Sequence, residues 1–160
     1  MVGQQNYATT FETGTATRWI RRATLIATAV LSVVVLVSYP MLPDLIPTHF
    51  NLAGMADGYG PSWTVFVIVG LLAALIGATS WLSTRPQMLN FPVVVTEENA
   101  QQIFRESERM MVWVSAALFI VYLGTAISSW GGYGAPAFLV GILGLALATI
   151  IGVKRTLTAG

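Results

Sequence analysis

The sequence has no cysteine, which excludes disulfides, iron–sulfur clusters, thiolate metal sites and cysteine nucleophiles. It is also poor in charge. Asp, Glu, Lys and Arg make up 9% of the 160 residues, against about 25% in soluble domains. That leaves too little polar surface to coat a water-exposed globule, which argues against a soluble enzyme or a disordered chain. The formal net charge is +1. It supplies no basic field for phosphate, so no nucleic-acid partner is expected. One histidine is too few for a bis-histidine haem or a histidine-rich metal cage. There is no glycine-rich phosphate loop with its lysine and no G-x-S-x-G elbow. The glycines of 131–134 follow no strand and read as a turn. No catalytic set, cofactor or small-molecule substrate is expected.

Apolar side chains are abundant instead. Hydrophobic residues account for 55% of the chain, and its mean hydropathy is +0.71. Four stretches approach the roughly 20 apolar residues a membrane-crossing helix needs: about 22–41, 63–82, 110–129 and 136–153. None has Asp, Glu, Lys or His in its apolar core. Span one resembles a signal peptide in length, but Val37-Ser38-Tyr39-Pro40 is a poor cleavage site, so it is read as retained. All eight basic residues (Arg18, Arg21, Arg22, Arg85, Arg105, Arg109, Lys154 and Arg155) fall in segments that four spans put on one side. The positive-inside rule assigns that side to the cytoplasm. Trp19, Trp81 and Trp113 then mark the inner interface, and Tyr39, Trp63 and Trp130 the outer one. The hydroxyl of Tyr122, deeper in span three, is expected to bond a neighbouring helix.

The expected fold is therefore all-α. It is a four-helix transmembrane bundle of residues 18–160, with both termini cytoplasmic, behind a polar tail 1–17 that is disordered in isolation. The expected location is a bacterial plasma membrane, in contact with lipid. Small residues on three spans read as helix contacts: Thr24, Thr28 and Ser32; Gly70, Ala73, Ala74, Gly77 and Ala78; Gly144, Ala148 and Gly152. In the middle loop, Thr96 followed by Glu97 and Glu98 predicts a helix start that runs on into span three as a cytoplasmic extension. Glu106 and Arg109 are spaced to pair on it.

The most informative segment is the outer loop, 39–62. Pro40, Pro43, Pro47 and Pro61 stiffen it and oppose helix, and Asp57-Gly58 reads as a turn. It holds the only ionisable side chains expected outside: Asp44, His49 and Asp57. Three readings stand side by side. The aspartates cap turns while His49 donates to a backbone carbonyl; or the three bind a divalent metal such as zinc; or the loop is a protein epitope.

Leu42-Pro43-Asp44, Ile46-Pro47-Thr48-His49-Phe50-Asn51, Gly54 and Asp57-Gly58-Tyr59-Gly60 resemble the domain of unknown function at the N-terminus of SdpI-type membrane proteins. So do Asn90-Phe91-Pro92, Thr96-Glu97-Glu98-Asn99-Ala100, Arg105 and Arg109. Where that family commonly has a basic residue after the Asp-Gly turn, Pro61-Ser62 stands here. The resemblance implies a non-enzymatic protein that binds other proteins at the membrane, in immunity or signalling. Partner-binding candidates are Asp44, His49, Phe50, Asn51, Asp57, Tyr59, Arg105 and Arg109. With no catalytic set, the leading expectation is an accessory subunit of a larger membrane complex, with the respiratory chain as one possible host. The alternative is a stand-alone immunity or signalling protein.

Overall fold

A computed structural model describes residues 11–160. Four helices, α1 (Thr15–Val37), α2 (Thr64–Leu82), α3 (Ala100–Ser129) and α4 (Ala135–Thr158), are each long and apolar enough to cross a membrane. They are the helices of a multi-pass membrane protein. Between α1 and α2 the fold departs from all-α. Strands β1 (Leu45–Phe50) and β2 (Ala56–Pro61) form an antiparallel hairpin. The prolines do block helix, as the sequence predicts. A two-stranded ribbon still accommodates Pro47, because an edge strand has a side that needs no ladder donor.

α2 matches its predicted span, α3 and α4 exceed theirs, and α1 is shifted toward the N-terminus, ending at Val37 rather than 41. α1 begins at Thr15, inside the segment expected to be a disordered tail. Residues 1–10 of that tail lie outside the described residues. Phe11 packs edge-on against Phe104 with ring centroids 6.4 Å apart, and Thr13 hydrogen-bonds Glu108, so this end of the tail is pinned to α3. α3 runs for 30 residues, about 45 Å at the α-helical rise. That exceeds a hydrocarbon core of about 30 Å, so its first turns stand outside. The helix starts at Ala100, four residues after the predicted Thr96 cap; Asn99 is its N-cap and makes no side-chain cap bond, and Thr96 instead organises the turn before it. The Asn99 amide donates to Thr96 Oγ1 at 3.4 Å, and the Thr96 amide donates back to Asn99 Oδ1 at 2.7 Å. These bonds close the Thr96–Asn99 turn that leads into the helix. α3 ends in a Schellman motif. Gly131 takes φ +77°, its amide bonds Ser128 O at 3.0 Å, and the Gly132 amide bonds Ile127 O at 3.0 Å. That tight reversal sends α4 back along α3 as an antiparallel hairpin.

Packing divides the small-residue stripes. Thr24 and Thr28 are buried, and Tyr122 donates to Ser32 at 3.1 Å, so the α1 stripe does face the bundle. On α4 the tightest positions are Gly141 and Gly152. A Cβ on Gly141 would stand 2.6 Å from the Val121 amide nitrogen. Gly144, predicted to be tight, meets only Ala117 Cβ at 3.2 Å. The α2 expectation fails. Its buried residues are Val65, Val69, Ile76 and Ser80, and nothing lies within 4 Å of a Cβ on Gly70 or Gly77. The small-residue face of α2 points away from the other helices.

The main core lies between α1, α2 and α3: Leu31, Val35, Val65, Val69, Ile76, Tyr122 and Ala126, joined by Ile46 of the hairpin. A smaller cluster at the other end joins Ala100, Ile103 and Phe104 to Ala159 and Phe11. Contacts of Arg21 with Ser83 and Glu108, and of Arg155 with Glu106, bring the arginine-bearing ends of all four helices together. The bundle thus has a basic end and a hairpin end.

Candidate functional site

At the hairpin end, the turn is made by residues 51–55 rather than by Asp57-Gly58. Asn51 Oδ1 accepts the amides of Ala53 at 2.9 Å and Met55 at 3.1 Å, and the Asn51 amide donates to Met55 O. The side chain thus closes its own turn. Gly54 has φ +72° and sits against α4, where a Cβ would meet Ala135 O at 3.1 Å. Asp57 and Gly58 lie inside β2, opposite His49 and next to a register shift. Gly58 is needed there for closeness: a Cβ would stand 2.9 Å from that of His49.

The hairpin is fixed to the bundle on one face. Ile46 is fully buried, and Phe50 stacks on Phe138 of α4 with centroids 4.8 Å apart. The Ser62 amide donates to Asp44 O, so the backbone of Asp44, not its carboxylate, closes the base of the hairpin. His49 Nδ1 lies 2.5 Å from Asp57 Oδ1 across the strands, so the partner of His49 is a carboxylate rather than a backbone carbonyl. Among the described residues no three of His, Asp and Glu converge, so Asp44 does not join His49 and Asp57 in a three-ligand set. Leu45, Leu52, Met55 and Tyr59 of the hairpin are exposed, and Leu52 at the tip is fully so. Between the hairpin and the α3–α4 turn lies a cleft of about 280 Å³ that includes Pro47, Tyr59, Ser128 and Tyr133.

Because His49 and Asp57 are 72% and 45% exposed, their pairing is screened and worth less than about 1 kcal/mol. His49→Gln should therefore leave the melting temperature of the purified protein within about 4 °C of the parent. A fall of 10 °C would show that the pair holds the hairpin shut.

The basic end holds a site that sequence reasoning misses. Glu108 of α3 is 1% exposed. Arg21 Nη1 of α1 donates to Glu108 Oε1 at 2.8 Å, Thr13 Oγ1 donates to the same oxygen at 3.0 Å, and Arg21 also reaches Ser83 Oγ after α2 at 3.3 Å. One ion pair thus ties three helices. The polar contacts continue inward: Ser83 donates to Ser80 O, and Ser80 and Ser115 hydroxyls bond at 2.7 Å. A signal for Glu108 was present, since Ala100, Phe104, Glu108 and Val112 recur every four residues on one buried stripe. A carboxylate on an apolar stripe needs a partner.

Arg109 pairs with Glu106 at 2.7 Å, as its spacing predicts, and Arg105 is exposed one turn earlier on α3. Trp19 and Trp81 are half exposed, with Arg22 and Arg85 over their rings at 5.6 and 4.3 Å. These cation–π pairs suit an interfacial belt.

Residues 23–73, from α1 through the hairpin into α2, match the family described as a domain of unknown function (DUF1648). No curated protein and no solved structure matches the chain.

Proposed function

We propose that this chain is a non-catalytic accessory subunit of a larger membrane protein complex. It binds its neighbours through the outward face of the hairpin and through helical faces. The observation that carries this reading is the hairpin itself. It is clamped by Ile46 and by the Phe50–Phe138 stack, yet it leaves Leu52, Leu45 and Tyr59 exposed. A rigid surface with exposed large apolar side chains is the usual form of a protein contact site. Asp44, His49 and Asp57 supply polar groups around it, and Arg105 and Arg109 offer a second contact at the basic end. Gentle solubilisation followed by native electrophoresis tests the reading. Migration within a large complex is expected, and migration only as a small free protein would contradict it.

The proposed orientation puts the basic end in the cytoplasm, with both termini there, and the hairpin outside a bacterial plasma membrane. All eight basic residues stand in segments at the basic end, the asymmetry that sets topology. A periplasm-active reporter enzyme fused at Gly54 should be active, and one fused at Gln87 inactive. The opposite pattern would invert the orientation.

A second reading, an SdpI-type immunity or signalling protein, rests on the resemblance of the outer-loop residues Leu42–Asn51 and Asp57–Gly60. It expects deletion to sensitise cells to a membrane-active peptide, with the outer hairpin as the peptide's contact.

A further inference from the structure

We propose that the groove between α3 and α4 at the basic end binds one anionic phospholipid, with its phosphate against the Arg109 and Arg155 guanidinium groups and one acyl chain along the groove. The groove has a volume of about 580 Å³. Its lining changes with depth. Arg109, Arg155 and Glu106 stand at its mouth, and Trp113, half exposed, stands one turn further in. The floor is made shallow-walled and open by Ala117, Gly144 and Ala148. From Met110 to Ile120, both on its wall, α3 rises about 15 Å. That equals one leaflet's share of a hydrocarbon core of about 30 Å.

The mouth favours phosphate. Glu106 lies between the two guanidinium groups, with Oε1 accepting from Arg109 at 2.7 Å and Oε2 lying 3.7 Å from Arg155 Nη1. One carboxylate against two arginines leaves the mouth cationic, and Lys154 is the next residue along the chain from Arg155. Glu106 thereby holds Arg109 by a hydrogen bond and offsets one of the two positive charges. Arginine forks match phosphate oxygens, and a basic pocket between membrane helices at headgroup level is suited to an anionic lipid. A helix from a partner protein would fill the apolar part but leave this charge unmatched. The proposal rests on the helices crossing a membrane and not on the accessory-subunit reading.

Native mass spectrometry of the full-length protein in detergent tests it, with phosphatidylglycerol and phosphatidylcholine of the same acyl chains supplied in equal amounts. One phosphatidylglycerol should be retained in preference to phosphatidylcholine. Arg155→Gln should reduce that retention roughly fivefold, the value of one arginine near a membrane phosphate. Since Arg155 is half exposed, this variant should keep its melting temperature. Ala148→Leu, which fills the groove and leaves the mouth intact, should reduce retention of both lipids. Equal retention of the two lipids would overturn the proposal. So would phosphatidylglycerol retention unchanged by both substitutions.

Discussion

Glu108→Ala should destabilise the purified protein by about 3–5 kcal/mol, the cost of leaving one member of a buried ion pair alone. The orphaned charge would be Arg21, which reaches Glu108 at 2.8 Å and Ser83 at 3.3 Å and is itself only 16% exposed. Thr13 would also lose its acceptor. The α1–α2–α3 junction would therefore loosen first, and the tail end at Phe11 would detach from Phe104. The double substitution Arg21→Met with Glu108→Leu should recover most of the stability, because apolar pairs commonly replace a buried ion pair without loss. Denaturant titration of all three proteins in one detergent measures this. A cost below about 0.5 kcal/mol for Glu108→Ala would mean that the carboxylate is solvated.

The second large effect lies in the α3–α4 hairpin. Gly141→Leu should cost about 3 kcal/mol or more, because overpacking against a surface that cannot yield stands at the upper end of such penalties. Even a Cβ would lie 2.6 Å from the Val121 amide nitrogen and 3.0 Å from Ala117 O, both backbone atoms of α3. Gly124 faces the same seam, with a Cβ 2.5 Å from the Phe138 nitrogen, so neither helix can move aside locally. Gly70→Leu is the control: nothing lies within 4 Å of that position, and replacing glycine in a helix is otherwise mildly favourable. Thermal unfolding of both variants should separate them by about 6–12 °C. Similar melting temperatures would mean that the α3–α4 contact is looser than the structure has it.

The spans were legible because about 20 apolar residues in a row have few alternatives to a membrane helix. The extension of α3 was legible because Thr96, Glu97 and Glu98 mark a helix start, although the helix itself begins at Ala100. The hairpin was not. Pro47 disguises β1, and Asp57-Gly58 imitates the turn that Asn51 makes instead. Gly58 serves the close approach of two strands, a requirement that no local pattern reveals. The small residues of α2 and α4 looked equivalent in sequence. Only the packing separates Gly141, pressed on α3, from Gly70, which faces outward. Glu108 was hidden: its partner Arg21 lies 87 residues away, so no local spacing pairs the two.

At the proposed contact face, His49, Asp57 and Tyr59 were found from sequence as residues of an ordered loop. Leu52 was not, since an exposed leucine becomes informative only when the surface around it is rigid. Leu52 is therefore where the account is most directly tested. A photo-crosslinking amino acid placed at Leu52 in native membranes should give one discrete heavier protein adduct. The same amino acid at Val67, exposed on α2, should give none of that mass. A Leu52 position that yields no protein adduct, or the same diffuse products as Val67, would contradict a partner bound at the hairpin.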